Sequence, residues 1–248
     1  MDMKKYGLFF LAATVLLATG CSIYHPQTVD IPLIDHQGDV RVDGSAGASA
    51  WLLPDDIMLS ATVSYGITDW LAGQAYVNYG FNNIYGQAAP GVYKHLNEHL
   101  ILEGYMGFGV GGVWSDDTET QDDMDTSVHY TYDYSGRYML PFAQVNLGWR
   151  GLANGHINLA FGLKTGAYVP SVGYRRYDAN DVHLPEYDYV YSMPNLLLEP
   201  QVQFSVGGDL VKYTIRLSFA WMSDLSNGGG GHFVTDFITL SNGLTFSF

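Results

Sequence analysis

A period of two, in which apolar and small polar residues alternate, recurs along most of this chain up to its final stretch, 238–248. One set of positions there is largely apolar and includes Ile238, Leu240, Leu244, Phe246 and Phe248. The intervening positions hold threonine, serine and glycine. Successive side chains of a β-strand point to opposite faces, so this pattern predicts a strand with an apolar environment on one side and a polar one on the other.

The same alternation predicts nine further strands before the closing one. Their expected bounds are 39–50, 57–67, 70–81, 87–96, 99–113, 136–150, 156–169, 190–206 and 211–221. Pro90 interrupts the fourth of these, because proline cannot donate to a strand ladder. The total is then ten strands, and it becomes eight or twelve if the fourth strand or a loop is misassigned.

The connections between these strands fall into two classes. Tight turns are expected at 68–69, 97–98, 154–155 and 207–209, whereas longer connections are expected at 114–135, 170–189 and 226–231. Transmembrane barrels combine short periplasmic turns with longer external loops. The chain is therefore predicted to be all-β, a transmembrane antiparallel up-and-down β-barrel with both termini on the side of the short turns. The alternative is a soluble barrel such as a lipocalin, which needs no continuous apolar outer belt.

The start of the chain has the features of a secretory signal. Lys4 and Lys5 precede an apolar run over 8–17, which is too short to cross a bilayer as a helix. Small residues follow, and then Cys21, the only cysteine. We therefore divide the chain into a signal peptide (1–20), a periplasmic lipid tether (21–38) and a barrel (39–248).

Three stretches resemble known bacterial families. The residues before Cys21 resemble the recognition box of lipoprotein signal peptides, and the closing strand ending on Phe248 resembles that of Gram-negative outer-membrane β-barrels. The short stretches 24–26, 31–33 and 38–40 resemble the start of lipidated barrels that have no assigned activity.

The resemblance implies lipidation of Cys21 and, because Ser22 and not Asp follows the cysteine, release to the outer membrane. It places the lipid on the periplasmic side, because no acidic cluster follows Cys21. It also implies an insertion signal at Phe246 and Phe248, read by the barrel insertion machinery. The alternative for Cys21 is a free thiol left by an ordinary signal cut.

The polar faces of the predicted strands carry charged residues that should line the lumen. Charge on the lipid side would cost about 2–4 kcal/mol for each Arg or Lys at the membrane midplane. The residues expected to face inward are Arg41, Asp43, Glu103, Arg150, Lys164, Glu199, Lys212 and Arg216. Buried charges must pair, so we expect ion pairs that plug the narrow lumen. A solute path is the alternative.

Composition restricts the partners. The formal net charge of −14 argues against nucleic acid, whose binding requires a basic surface. Outer-membrane lipid and lipopolysaccharide, the insertion machinery and an outer-membrane protein complex are the partners expected of such a barrel. Nothing in the sequence indicates a cofactor.

Two of the longer loops carry candidate functional groups. The first is acidic and contains Asp116, Asp117, Glu119, Asp122, Asp123 and Asp125. Calcium binding there is an alternative, but the spacing fits no EF-hand, so we expect no metal. The second mixes Arg and Tyr over 174–191 and suits protein or glycan contacts.

The sequence thus favours a non-enzymatic barrel lipoprotein, a structural or accessory subunit of an envelope or surface-transport complex. A narrow small-solute channel is the first alternative. A surface hydrolase resembling omptin proteases is the second, because acids and histidines could meet at the outer rim. The residues in question are Asp116, Asp117, His129, Asp181 and His183.

Overall fold

Ten antiparallel strands form one closed barrel. The computed structural model describes residues 22–49, 57–123, 126–178, 182–223, 234–235 and 238–248. The barrel strands are Val40–Ser49 (β1), Ile57–Gly66 (β2), Leu71–Gly80 (β3), Asn83–His95 (β4), Leu100–Asp123 (β5), Thr126–Leu152 (β6), Ile157–Tyr177 (β7), Asn195–Gly207 (β8), Val211–Phe219 (β9) and Ile238–Ser247 (β10). The predicted fold class and strand number are confirmed.

Closure comes from pairing between the first and last barrel strands. β10 pairs antiparallel with β1 in register from Thr239 opposite Ser49 to Ser247 opposite Arg41. At the end of this seam, the Phe248 N–H donates to the Val40 carbonyl at 2.9 Å and the Val40 N–H donates back at 3.1 Å. A closed sheet leaves no edge with unpaired backbone groups, which is what a membrane requires.

Four shorter segments complete the β-structure. Trp221–Ser223 continues β9 after Ala220 and pairs with β8, and Tyr189–Tyr191 pairs with β7. Ser22–Tyr24 and Val234–Thr235 form a separate parallel pair. Among the described residues no helix is long and apolar enough to cross a membrane.

The two faces of the barrel differ as the alternation predicts. Outward positions of β2 and β3 carry exposed apolar side chains such as Leu59, Val63 and Val77, while their inward neighbours are buried polar residues such as Ser64 and Gln74. Exposed aromatic residues lie near both ends of the wall: Tyr65, Trp70 and Tyr213 at one end, and Tyr79, Phe81 and Trp221 at the other. An apolar belt between aromatic girdles is typical of a barrel that spans a membrane.

The two ends of the barrel are distinct. The turns 67–70, 96–99, 153–156 and 208–210 lie at one end, the short-turn end, as predicted. In two of these turns a side chain accepts backbone N–H groups: the Thr68 hydroxyl from Leu71, and the Asn97 amide oxygen from Leu100. The described residues that connect strands at the opposite end, the long-loop end, are 81–82, 178 and 182–194.

Two of the predicted loops are largely strand. β5 and β6 continue past the expected boundary as a paired hairpin, from Trp114 opposite Ser135 to Asp123 opposite Thr126. β7 extends to Tyr177, so only the rest of the second loop connects it to β8, by way of a 3₁₀ turn at Pro185–Tyr187. The prediction of a loop over 114–135 was wrong because this hairpin continues beyond the apolar belt. Neither face of a strand has to be apolar there, so its sequence does not alternate.

The N-terminal segment lies inside the barrel, which corrects the prediction of a periplasmic tether over 21–38. Every residue from 24 to 34, hereafter the lumen segment, is buried. Ser22 pairs with Val234 at the long-loop end, and the chain then runs down the lumen and leaves at the short-turn end, where the Gly38 N–H donates to Gly66 at 2.8 Å. Ser22 therefore lies at the end opposite to the one we predicted. Residues 1–21, including Cys21, are outside the described residues.

The assignment of the long-loop end to the cell exterior can be checked with two matched cysteine substitutions. Glu186 and Glu98 are both exposed, the first in the 3₁₀ turn of the long-loop end and the second in a short turn. We expect a membrane-impermeant maleimide to label Glu186→Cys in intact cells and Glu98→Cys only after permeabilisation. The native chain, whose only cysteine is Cys21, serves as the control. The opposite labelling would reverse the orientation.

Candidate functional site

The occupied lumen is the candidate functional site. Of the residues expected to face inward, seven are buried there and belong to five strands: Arg41, Asp43, Glu103, Lys164, Glu199, Lys212 and Arg216. Lys212 and Arg150 lie towards the short-turn end, where the Lys212 ammonium donates to the Gly155 carbonyl at 2.7 Å. Most of these charges contact the lumen segment, so the wall and the segment form one polar network.

A four-residue charge cluster occupies the centre of the lumen. The Asp30 carboxylate of the lumen segment accepts from both Arg41 and Arg216, with 2.7 Å between its Oδ1 and Arg216 Nη2. The same Arg216 nitrogen donates to Asp43 at 2.6 Å, and Asp43 also accepts from the Thr245 hydroxyl. Two guanidinium groups and two carboxylates thus neutralise one another away from water, as buried charges require.

A second cluster lies further towards the long-loop end. The Lys164 ammonium is 3.2 Å from Glu199 on the neighbouring strand, which is an ion pair within the wall. Glu199 also accepts from the Tyr24 hydroxyl at 2.6 Å and from the Gln27 backbone N–H. Lys164 lies over the ring of Phe142, 5.6 Å from its centroid. The lumen segment therefore contributes two of the donors that satisfy this carboxylate.

A third set of contacts fixes the segment where it leaves the barrel. Glu103 accepts from the Ile34 N–H at 2.9 Å and from the Asn146 amide at 3.1 Å. Arg150, partly exposed at the short-turn end, lies 3.1 Å from Asp35. Its partner therefore comes from the N-terminal segment and not from another strand.

Side chains of the lumen wall make the hydrogen bonds to the segment backbone that a neighbouring strand would otherwise make. The Gln203 amide makes two bonds to Ile31, accepting from its N–H and donating to its carbonyl, each at 2.9 Å. Further donors to segment carbonyls are Gln201 to Val29 and Gln74 to Asp30, both at 2.7 Å, and Ser218 to Gln27 at 2.9 Å. A buried backbone group without a partner is costly, and these bonds remove that cost along the segment.

Apolar side chains of the segment fit gaps that glycines leave in the wall. Ile31 and Leu33 form a small core with Ile101 and Ala160. A Cβ atom added at Gly148 would lie 2.4 Å from a Leu33 methyl group, and one at Gly162 would lie 3.1 Å from Ile31. Because these two wall positions have no side chain, they leave room for Leu33 and Ile31 of the segment.

Tyrosine rings fill the lumen around the start of the segment. Tyr24 makes edge contacts with Tyr138 and Tyr168, at centroid distances of 6.0 and 5.5 Å. Tyr85 stacks on Tyr138, and its hydroxyl lies 2.1 Å from where a Cβ at Gly109 would be. Glycines that face the lumen thus make room for tyrosine rings that face it. This accounts for part of the high glycine and tyrosine content of the chain.

One small cavity lies between the segment and the wall among the described residues. The cavity lined by Gln27, Gln144, Lys164, Glu199 and Gln201 has a volume of about 10 Å³. Such a space holds about one water molecule. A larger recess of about 290 Å³ lies at the short-turn end, between Leu33, Arg150 and Phe248.

The residues considered for a rim catalytic site are mostly not described. Asp181 lies outside the described residues, as do the side chains of Asp116, Asp117 and His129. The acidic loop is the outer part of the β5–β6 hairpin, and its side chains are likewise not described. His183 lies on an exposed loop, 2.9 Å from Asp188. In the part of the chain that the structure describes, no group of three or more His, Cys, Asp or Glu could hold a metal ion.

The two aromatic residues of the expected insertion signal lie on the outer face of the closing strand. Phe246 is partly exposed and Phe248 is largely exposed. Both therefore face the surroundings of the barrel, and the backbone of Phe248 takes part in the seam with Val40.

Sequence reasoning missed the lumen segment and its central residue, Asp30. A signal was present, because Val29, Ile31 and Leu33 alternate with Thr28, Asp30 and Pro32. The charge balance was a second signal. The predicted lumen residues comprise five bases and three acids, and Asp30 and Asp35 supply the two missing carboxylates.

An apolar exterior, a polar lumen and complete closure define a transmembrane β-barrel of the outer-membrane type. No family model matches the chain, and no curated protein matches it. Among solved structures it is similar to the KdgM porin, at 9% identity and a TM-score of 0.39, over 84% of this chain and 99% of that one. The NanC porin gives 10% identity and a TM-score of 0.39, over 84% and 98%. The translocator domain of the autotransporter NalP from Neisseria meningitidis gives 10% and 0.27, over 99% and 95%.

Removing the central carboxylate should weaken the whole barrel. Asp30→Asn removes the carboxylate that pairs with both Arg41 and Arg216 and leaves only Arg216 paired, with Asp43. Breaking a buried ion pair from one side costs about 3–5 kcal/mol. We expect a lower unfolding temperature in detergent, measured by the heat-dependent shift on an unboiled gel. Asp35→Asn at the partly exposed short-turn end is the matched control and should change little. Equal effects of the two variants would contradict a special role for the central cluster.

Proposed function

We propose that this protein is a non-enzymatic outer-membrane barrel that its own N-terminal segment keeps closed, and that it serves as a structural or accessory subunit of an envelope or surface-transport complex. The observation that carries the proposal is the complete burial of residues 24–34 inside the lumen. While residues 24–34 occupy the lumen, the barrel offers its outer surfaces and loops to other molecules.

The long-loop end provides a surface that suits a protein partner. The Arg176 guanidinium lies over the Tyr187 ring, 4.6 Å from its centroid, and Tyr174 stacks on Tyr189. Val182 and Val190 are exposed beside them. Ordered aromatic and arginine side chains beside exposed apolar residues are frequent at the centres of interfaces.

Purification in mild detergent tests this proposal. We expect the tagged protein to bring a stoichiometric partner from outer membranes, and Tyr187→Ser with Val190→Ser to reduce its recovery about tenfold or more, the effect of losing a typical interface anchor. Leu96→Ser, an exposed apolar residue in a short turn, is the control and should leave recovery unchanged. A clean monomer from every preparation would contradict the accessory role.

A narrow channel for small solutes is the second candidate, and one observation favours it. Side-chain hydrogen bonds and ion pairs, with no strand ladder to the wall, hold residues 25–34 in place. Withdrawal of the segment would leave a lumen lined by glutamine, asparagine, serine and charged residues. On the accessory proposal, the native protein should give no conductance steps in a planar bilayer. Frequent steps with the native chain would instead move the channel to first place.

We also propose that the chain is exported by the signal at 1–20, acylated on Cys21 and inserted in the outer membrane of a Gram-negative bacterium. Because Ser22 lies at the long-loop end, acyl chains on the preceding residue would enter the leaflet on that side, and not the periplasmic leaflet that we expected from sequence. The support for acylation is the recognition box before Cys21, and the serine that follows Cys21 supports release to the outer membrane.

Metabolic labelling with an alkyne fatty acid tests the acylation directly. We expect the native chain to incorporate the label and Cys21→Ser to lose it entirely, because the thiol is the acceptor. Ser22→Ala keeps the cysteine and is the matched control, so it should label like the native chain. Equal labelling of the Cys21→Ser variant would show that the lipid is elsewhere.

A further inference from the structure

The lumen wall recognises the N-terminal segment largely through its backbone. The wall accepts hydrogen bonds from the backbone N–H groups of Gln27, Ile31 and Ile34. It donates hydrogen bonds to four backbone carbonyls of the segment, those of Gln27, Val29, Asp30 and Ile31. A backbone contact of this kind is available to any extended peptide, as it is when a peptide is added to a sheet edge. The wall therefore has the chemistry of a peptide-binding channel.

Side-chain contacts give this channel its selectivity at a few positions. The Arg41 and Arg216 guanidinium groups require an acid at position 30, and charge-assisted bonds of this kind are about twice as strong as neutral ones. The gaps at Gly162 and Gly148 accept the apolar residues one and three positions later, Ile31 and Leu33. The preferred sequence is thus an acidic residue followed at these spacings by two aliphatic ones.

Within the described residues, the segment is covalently joined to the barrel through one exposed stretch. Residues 36–38 are exposed, and Gly38 has φ +92°, a conformation that favours glycine at the change of direction into β1. Within the described residues, the only backbone pairing at the other end is the short parallel pair of Ser22–Tyr24 with Val234–Thr235. Cutting the chain at 36–38 would leave every lumen contact of residues 24–34 intact.

We infer that the lumen is a binding channel for an extended acidic–aliphatic peptide, which the chain's own residues 22–37 occupy, and that a separate peptide of this sequence can replace them. This inference does not depend on the proposed accessory role. It assigns the lumen a ligand class, an extended polypeptide, in place of a small solute.

A nicked barrel tests the inference in the complete, folded protein. A protease site inserted between Gln37 and Gly38 of the Cys21→Ser chain, which has no thiol to acylate, allows the folded chain to be cut once, so that the segment becomes a non-covalent peptide. We expect the cut segment to stay bound during gel filtration and to exchange with an excess of a labelled synthetic peptide of residues 22–37. An Asp30→Asn peptide should compete about tenfold less well or worse, since a hydrogen bond to a charged group contributes about 1.5–3 kcal/mol.

The control peptide carries Asp35→Asn, the same chemical change outside the buried lumen, and should compete nearly as well as the native sequence. Immediate loss of the cut segment without uptake of labelled peptide would overturn the inference. So would equal competition by the Asp30→Asn and native peptides, because the arginine pair would then not select. Retention with no exchange, even on prolonged warming in detergent, would also overturn it by showing that the segment is a fixed part of the fold.

Discussion

The fold of the N-terminal segment depends on one buried carboxylate, that of Asp30, held between Arg41 and Arg216. Ion pairs far from water are favourable only when every charge has a partner, because the cost of removing each charge from water is large. With the segment in place, the two guanidinium groups face two carboxylates. Without it Arg216 would keep only Asp43, and Arg41 would lose the carboxylate with which it pairs. The same pairing fixes the register of the segment along the barrel axis, and the amide contacts of Gln201 and Gln203 then fall opposite the correct backbone groups.

The barrel itself could be predicted from sequence because a membrane imposes a strict rule on each strand. Outward positions must be apolar and inward positions can be polar, so alternation marks both the strands and their faces. This rule holds for β9, where Tyr213 and Ile215 face out and Thr214 and Arg216 face in. It fails where the chain leaves the membrane. The outer half of the β5–β6 hairpin is paired strand, yet its sequence is polar and acidic without alternation, and it therefore looked like a loop.

The position of residues 24–34 was not predicted, for a different physical reason. Their partners lie far away in sequence, such as Glu199 for Gln27 and Gln203 for Ile31, and no local pattern reports such contacts. Pro26 and Pro32 also indicated an irregular linker, which is a fair description of the backbone but not of its location. The identities of the lumen-facing charges were readable, whereas their partners were not. Only the surplus of bases over acids among them indicated that a further acidic element was required.

The segment also bears on how the barrel is held closed. The seam between β1 and β10 is where the two ends of the sheet meet, and Asp43 and Thr245 face each other across it at 2.9 Å. Arg216, on the strand next to β10, donates to both Asp43 and Asp30. Arg41 on β1 donates to Asp30 as well. The central carboxylate of the segment therefore connects strands on both sides of the seam from within, in addition to the backbone ladder of the seam itself. An occupied lumen and a closed wall are then parts of one network, in which each stabilises the other.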